Sequence, residues 1–387
     1  MARNGGGPVA ANEFYDAAII GGGAAGLAAA VSYLRRPSRG KLILIEANNS
    51  CGKKLLATGN GRCNISNLSA SEYLRIKEFF KSIGVLFRVE DGGRAYPMSG
   101  QAASVRDALL RALERERAEV LYGARVYSVE KETGDSEFKI FIEDGTRIRA
   151  GRLLVATGGK AGPKYGCQGD GYAIARSLGH GVESIRPALV PLVYSEREKG
   201  RLAELSGVRI RANAELLIDG RYAASSSGEL QFKDDGLSGI MIFDISTMMP
   251  KSIIEGKPRT EVIIDFAPGE ETDTLERLML ENKGLWLEGV VGHKISKLLV
   301  REGGGDAAVI AALAKRFPVS VSGTKGWKEA QATLGGVRVS EVDENTGESL
   351  IRKGLFFAGE LLEPVYICGG FNLNYAWATG LRAGEHL

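Results

Sequence analysis

Six residues near the N-terminus, Gly21-Gly22-Gly23-Ala24-Ala25-Gly26, constrain this chain more than any other feature. They fit the spacing G-x-G-x-x-G and stand between an apolar strand at 16–20 (DAAII) and an alanine-rich helix at 24–35. Gly21 allows a tight strand-to-helix turn, Gly23 lets the backbone approach a pyrophosphate, and Gly26 lets the helix pack on the sheet. The helix N-terminus adds free N–H groups and a partial positive charge. A second strand, KLILIE at 41–46, ends in Glu46, 20 residues after Gly26, where a carboxylate can bond ribose hydroxyls. Strand, helix, strand and terminal acid together predict a right-handed βαβ dinucleotide site. A Glu rather than an Arg at this point disfavours a 2′-phosphate, so FAD or NAD fits better than NADP.

The rest of the composition narrows the class. At about 150 residues per domain, 387 residues make two or three domains. The 52 glycines, about 13 % against a usual level near 7 %, imply many tight turns. A net charge of +3, from 50 basic and 47 acidic residues, is too balanced for nucleic acid as the main partner. Cys51, Cys63, Cys167 and Cys368 form no C-x-x-C pair, and the three histidines are widely separated. A redox dithiol, a zinc ribbon and a metal centre are therefore not expected. Residues 17–34 are 18 uncharged positions, at the lower limit for a membrane span. Their glycines, with Ser32 and Tyr33, read instead as strand, turn and helix. Residues 1–14 read as a disordered leader, and the expectation is a soluble, cytoplasmic protein without a membrane partner.

Along the chain, 72–82 and 101–117 read as helices around a glycine turn at 91–93. Residues 125–148 read as a three-stranded meander with turns at Thr133-Gly134-Asp135 and Asp144-Gly145. A buried strand (152–157) and a helix (172–178) follow. From about residue 191 short segments recur, VRIRANAELLID, GELQF, MIFDIS and EVIIDF, all strand-like. Helices are expected at 274–287, 292–301 and 306–317, then a strand at 354–358 and a helix at 371–385. This predicts a dinucleotide domain from 15–190 and 345–387, interrupted by a substrate domain at 191–344 whose helical part covers about 270–320.

Further constellations follow the fingerprint. The segment 52–64 (GKKLLATGNGRCN) comes directly after Glu46 and is expected to lie along the dinucleotide. Lys53 and Lys54 would meet phosphates or flank the adenine, unless the segment is a surface hairpin with solvated lysines. Cys63 reads as a packing residue rather than a nucleophile. Thr157-Gly158 and Gly359-Glu360 close apolar strands, and Gly370 precedes the last helix, whose N-terminus would stabilise negative charge at one edge of a flavin. Gly169-Asp170-Gly171 is not a second fingerprint, since position 174 is Ile.

The blocks YDAAIIGGGAAGLAAAVSYL, GKKLLATGNGRCNISN, LLVATGG, GELQFKDDGLSG and GLFFAGELLEPVYICGGFNLNYAWATGLRAG together resemble one family. It is the group of bacterial FAD-dependent oxidoreductases that includes aminoacetone oxidase and BaiN-type bile-acid reductases. The resemblance spans nearly the whole chain from Tyr15. It implies an α/β architecture, a Rossmann-type, glutathione-reductase-like FAD domain interrupted by a β-barrel-like domain with a small helical subdomain. It also implies FAD contacts at Gly21, Gly23, Ala24, Ala25, Glu46, Lys53, Thr58, Gly59, Arg62, Cys63 and Asn64. Val126 (through its backbone), Thr157, Gly158, Gly359, Glu360, Gly370, Phe371, Asn372 and Leu373 complete that set, beside Gly26 and Lys54 from the motifs themselves. Two places depart from the family: IMIFDIS follows GLSG where relatives carry a proline and alanine, and Lys233-Asp234-Asp235 lacks a Thr-His found on the substrate side.

The expected activity is hydride transfer between flavin N5 and a small organic substrate, an activated C=C bond or an amine, held between the FAD face and the second domain. With one dinucleotide fingerprint, NADH or NADPH would visit the substrate cavity transiently, or oxygen would close the cycle. Tyr366 is a candidate acid or else a cavity wall; Glu360 reads as holding the ribityl chain. Two alternatives are an FAD-dependent RNA-modifying enzyme, which needs a basic stripe with aromatic residues, and a non-catalytic flavin sensor or interaction protein. Neither the substrate nor the oligomeric state is legible.

Overall fold

A computed structural model of the chain describes residues 13–131, 134, 136–249, 259–284 and 286–387. Residues 1–12 of the expected leader, and Thr133 and Asp135 of one expected turn, lie outside the described residues. Glu13 and Phe14 are not leader. They open β1 (Glu13–Ile20), opposite Ile148 and Arg149 of the neighbouring strand. The chain divides into two compact units, 1–186 with 332–387, and 187–331. The expected crossing points were 190/191 and 344/345. The return comes earlier because residues from 332 onward are bonded into the first unit. Lys160 N–H donates to Thr333 Oγ1 at 2.8 Å, and Glu183 N–H donates to the Gly336 carbonyl at 2.7 Å.

In the first unit, β1 leads through the glycine turn to α1 (Ala24–Leu34) and then to β2 (Leu42–Glu46). From Ala17 on, β1 is buried throughout, as is β2, the pattern of parallel strands covered on both faces. Next come β3 (Ser66–Asn67), α2 (Tyr73–Ser82), β4 (Phe87–Glu90) and β5 (Arg94–Pro97), then α3 (Ala102–Arg115). β6 (Glu119–Tyr122), β7 (Val126–Glu130), β8 (Phe138–Ile142) and β9 (Arg147–Val155) follow, then α4 (Asp170–Ser177). The sheet order is β6-β2-β1-β9-β8-β7. β9 corrects the expectation of two separate strands. Its first half pairs antiparallel with β8 to finish the meander, and from Ile148 to Val155 it pairs parallel with β1.

The chain leaves this unit through β10 (Arg186–Ala188). The second unit holds β11 (Leu192–Tyr194), α5 (Glu196–Arg201), β12 (Arg209–Ile218), β13 (Arg221–Lys233) and β14 (Gly236–Ser238). It continues with α6 (Ile240–Ser246), β15 (Thr260–Asp265), α7 (Thr272–Glu281), α8 (Glu288–Val291), α9 (His293–Gly303), α10 (Ala307–Lys315) and β16 (Phe317–Thr324). Six strands close a barrel in the order β11-β14-β13-β12-β15-β16. MIFDIS, expected as a strand, is α6. Its buried residues Met241, Ile242, Ile245 and Ser246 recur at helical spacing. The helix expected at 274–287 ends at Glu281, and the helical part ends at Lys315 because Phe317 begins β16.

Back in the first unit, β17 (Ala332–Leu334) precedes β18 (Leu355–Phe357), which pairs parallel with the end of β9, and α11 (Phe371–His386). α11 lies close against α1 through two glycines. An added Cβ at Gly380 would stand 2.3 Å from the Ala25 carbonyl oxygen, and one at Gly384 2.3 Å from that of Ala29. Small residues on both helices thus let the backbones touch, and α11 braces the helix that begins at the fingerprint. Among the described residues, no helix is long and apolar enough to cross a membrane.

Candidate active site

The glycine turn closes as its spacing requires. Gly21 has φ +106°, and its N–H donates to the Ile45 carbonyl at 2.8 Å. A Cβ on Gly21 would meet the Ala156 oxygen at 2.5 Å, and one on Gly26 the Gly21 oxygen at 1.9 Å. Gly23 differs: its φ of −80° suits any residue, and a Cβ there meets nothing within 4 Å. Nothing among the described residues demands a glycine at that position; a group lying against the backbone would.

That group has a cleft to occupy. Gly21, Gly23, Glu46, Lys53, Lys54, Val126 and Thr157 of the expected residues line it. So do Asn48, Arg125 and the segment 165–170, which the sequence reading missed. The one signal was Gly169-Asp170-Gly171. It is no second fingerprint, but it starts α4 at the cleft, and Asp170 there ion-pairs with Arg125. The Glu46 carboxylate is buried and organises the floor: Oε2 accepts the Gly22 N–H at 2.7 Å, and Oε1 accepts the Asn48 N–H at 2.7 Å and the Asn48 Nδ2 at 2.8 Å. Lys53 Nζ donates to Asn48 Oδ1 at 3.2 Å.

Lys54, on the cleft wall, meets Glu360, Nζ to Oε2 2.6 Å, while Glu360 Oε1 accepts the Thr333 N–H at 2.9 Å. Burial lowers the pKa of the Lys54 ammonium, but Glu360, with smaller contributions from Cys167 and Tyr165, more than offsets it and holds the value above that of an ordinary lysine. This pair bridges the cleft to a second group of expected residues.

The second group surrounds the start of α11. Residues 58–64 cross there with Asn60 and Cys63 in the left-handed region, at φ +55° and +58°. Asn64 Oδ1 is buried without a hydrogen-bond partner among the described residues. It would stand 2.8 Å from a Cβ on Gly370, whose φ of +100° starts α11 and leaves the N–H groups of Phe371, Asn372 and Leu373 in its first turn. Gly359 N–H donates to Thr379 Oγ1 of α11 at 2.9 Å. A buried orphan acceptor beside free backbone donors is what a flavin edge, carrying both kinds of group, would satisfy. Together with the cradle at Gly23, the residues present fit FAD.

Several expected side chains have other partners. Arg62 bonds Glu90 and lies over the Tyr96 ring. The Asn372 amide is spent on the chain: Oδ1 accepts the Tyr366 N–H at 2.9 Å and Nδ2 donates to the Tyr366 carbonyl at 2.7 Å. Tyr366 is held beside α11 with its ring 5.3 Å from that of Tyr375, and burial pushes both phenols up. Cys63 is buried and its thiol is pushed up by burial to about 12, which suits packing and not nucleophilic attack at neutral pH. Ala24 and Leu373 pack partly buried on the core around α1, and Ala25 lies within it. Thr58 is turned inward, its hydroxyl donating to the Leu55 carbonyl at 2.7 Å. Gly158, at φ +73°, has open space where a Cβ would be.

The chain is similar to several known proteins. A family model described as the HI0933-like protein Rossmann domain matches residues 68–386. A 3-dehydro-bile acid delta(4,6)-reductase from Clostridium scindens is 35 % identical, across 95 % of this chain and 97 % of its own. A ribosomal RNA dihydrouridine synthase from Haemophilus influenzae is 27 % identical, across 95 % of this chain and 97 % of its own. Among solved structures, 3-ketosteroid delta1-dehydrogenase from Sterolibacterium denitrificans shares the fold, with TM-score 0.53 at 13 % identity over 97 % of this chain and 99 % of that one.

Proposed function

The chain belongs to the HI0933-like family of FAD-binding Rossmann proteins, and from that premise we propose that this oxidoreductase reduces a C=C bond conjugated to a carbonyl, with NADH or NADPH as electron donor. The observation that carries the reading is the 35 % identity, over 95 % of the chain, to a relative named for reducing double bonds of a 3-dehydro-bile acid. The cofactor supplies the hydride chemistry at flavin N5.

The remaining roles belong to the chain. The turn of Gly21, Gly23, Ala24, Ala25 and Gly26 would hold the pyrophosphate, and Glu46, already fixed by three donors, keeps lone pairs for ribose hydroxyls. The Lys54–Glu360 pair would face the linker between the nucleotide and flavin ends. Asn64 would accept from a flavin N–H, and the first turn of α11 would stabilise negative charge that builds on the ring. Arg62 and Asn372, engaged elsewhere by their side chains, would act by bracing the loops. Reduction of a C=C bond places a hydride on one carbon and a proton on its neighbour. Tyr366, braced beside α11, would deliver that proton.

A second reading has its own support: the dihydrouridine synthase from Haemophilus influenzae, and one from Escherichia coli at 27 % identity over 97 % of this chain, are named for a product that also arises by reduction of a C=C bond next to a carbonyl. The test is anaerobic. Oxidised holoprotein, with flavin bands near about 370 and 450 nm, is mixed separately with NADH and NADPH. Bleaching of the longer band is expected. The reduced protein is then offered a steroid 4-en-3-one, unmodified ribosomal RNA, or no acceptor. Reoxidation by the enone supports the proposal, and reoxidation by RNA alone transfers it to the second reading. Bleaching by amines instead, with peroxide formed in air, overturns both.

A further inference from the structure

We propose that one face of the small antiparallel sheet β3-β5-β4 is the docking site for the phosphate groups of the pyridine-nucleotide donor, gripped by Arg88 and Arg94. This deepens the donor half of the reading above and rests on it. Residues directly opposite in an antiparallel pair share a face, and so do residues two apart in one strand. Arg88 stands opposite Tyr96, and Glu90 opposite Arg94, so these four side chains share one face. Phe87, Val89, Ala95 and Pro97 share the other. That other face is turned to α2, where the Phe87 ring lies 5.6 Å from Phe80.

The first face carries more positive charge than its acids absorb. Arg62 reaches it from the 58–64 segment, its guanidinium 4.1 Å above the Tyr96 ring, and bonds Glu90. Arg88 Nε bonds the same Glu90 oxygen at 3.0 Å. Arg94 has no ion pair among the described residues. Asp91, exposed in the turn between β4 and β5, is the next acid in the chain, and three guanidiniums still exceed two carboxylates. The Arg88 side chain remains about half exposed, at 48 %. Planar guanidiniums held on a sheet, with N–H groups unspent, suit phosphate oxygens.

The face also adjoins the site. Asn67 of β3 donates from Nδ2 to the Gly92 carbonyl in the β4–β5 turn and to the Gly369 carbonyl before α11, both at 3.0 Å. The sheet is therefore pinned to the turn that starts α11. A donor is needed there without a Rossmann turn of its own, because the chain has one G-x-G-x-x-G and residues 21–26 use it. Its phosphates must then be neutralised by side chains.

The test uses holoprotein carrying Arg88→Gln and Arg94→Gln together. Flavin reduction is followed anaerobically with NADH, NADPH and 1-benzyl-1,4-dihydronicotinamide, which has the reactive ring and no phosphate. The ratio of NAD(P)H to benzyl-donor rate constants is expected to fall about tenfold for each guanidinium removed. Independently, calorimetric binding of NADP+ or NAD+ to the unsubstituted holoprotein should weaken steeply with salt, and the variant should lose that salt dependence. If NAD(P)H reduces both proteins with the same ratio and salt dependence, the inference is overturned while the donor reading stands. If neither nucleotide reduces the unsubstituted protein but the benzyl donor does, the donor reading falls and this inference with it. If the variant keeps its donor affinity and loses binding to ribosomal RNA, the face is an RNA contact and the inference is overturned.

Discussion

Glu46→Gln separates the structural job of this carboxylate, seen in its bonds within the chain, from the ribose contact proposed above. Before any ligand binds, three N–H donors converge on it, one on Oε2 and two on Oε1, and the side chain is buried at 7 % exposure. Glutamine is nearly the same size but offers one oxygen and one NH2. If the oxygen turns to Asn48, the NH2 confronts the Gly22 N–H; if it turns to Gly22, two Asn48 donors go unmet. The smaller loss leaves one buried donor unsatisfied, about 1–3 kcal/mol, and removes the charge assistance from the other two bonds, about 1 kcal/mol more. The expected destabilisation of FAD-free protein is about 2–4 kcal/mol, which moves Tm down by roughly 5–15 °C for a unit of this size. Differential scanning fluorimetry of FAD-stripped protein measures it, and a fluorescence titration with FAD measures the added loss of affinity from missing ribose bonds. An unchanged Tm in the stripped protein, with only FAD affinity reduced, would refute the claim that Glu46 builds the turn.

Three further outcomes are expected. Lys54→Met strands a partly buried Glu360 carboxylate, so it should lower FAD-free stability by about 1–3 kcal/mol; adding Glu360→Gln should recover part of that, and strict additivity in a urea double-mutant cycle would count against the bridge. His180 is buried beneath Phe357, with Nε2 2.8 Å from Ser349 Oγ and Glu341 near Nδ1, and burial lowers its pKa despite Glu341. The unfolded chain therefore binds this proton more readily, and stability should fall as pH drops below about 6.5 and level off above it; His180→Gln should flatten that limb in urea unfolding from pH 5 to 7.5. Tyr366→Phe should slow reoxidation of the reduced protein by an enone about 10²-fold or more while leaving reduction by the donor untouched; equal effects on both half-reactions would remove Tyr366 as the proton donor.

The parts of this protein legible from sequence are those fixed by neighbours along the chain. The strand, turn, helix and strand from β1 to Glu46 follow from the left-handed φ of Gly21, the close approach of Gly26 to the Gly21 oxygen and an unbroken apolar run, all set by residues near in sequence. The 3.6-residue period of α3 and the alternation along β12 are likewise local. MIFDIS was misread because a short apolar run fits strand or helix equally, and burial inside the barrel unit selected the helix.

What only the tertiary structure decided is which distant groups meet. Lys54 and Glu360 are 306 positions apart, Asn67 and Gly369 are 302, and Arg125 and Asp170 are 45, so no spacing rule couples them. The basic and aromatic face of Arg62, Arg88, Arg94 and Tyr96 was invisible as a stripe because the loop and the two strands contribute to it separately. Local sterics act through the covalent chain and can be read from it. Charge pairs, orphan acceptors and shared faces exist only after the backbone has brought remote segments within hydrogen-bond reach, and that placement is set by packing of the whole unit.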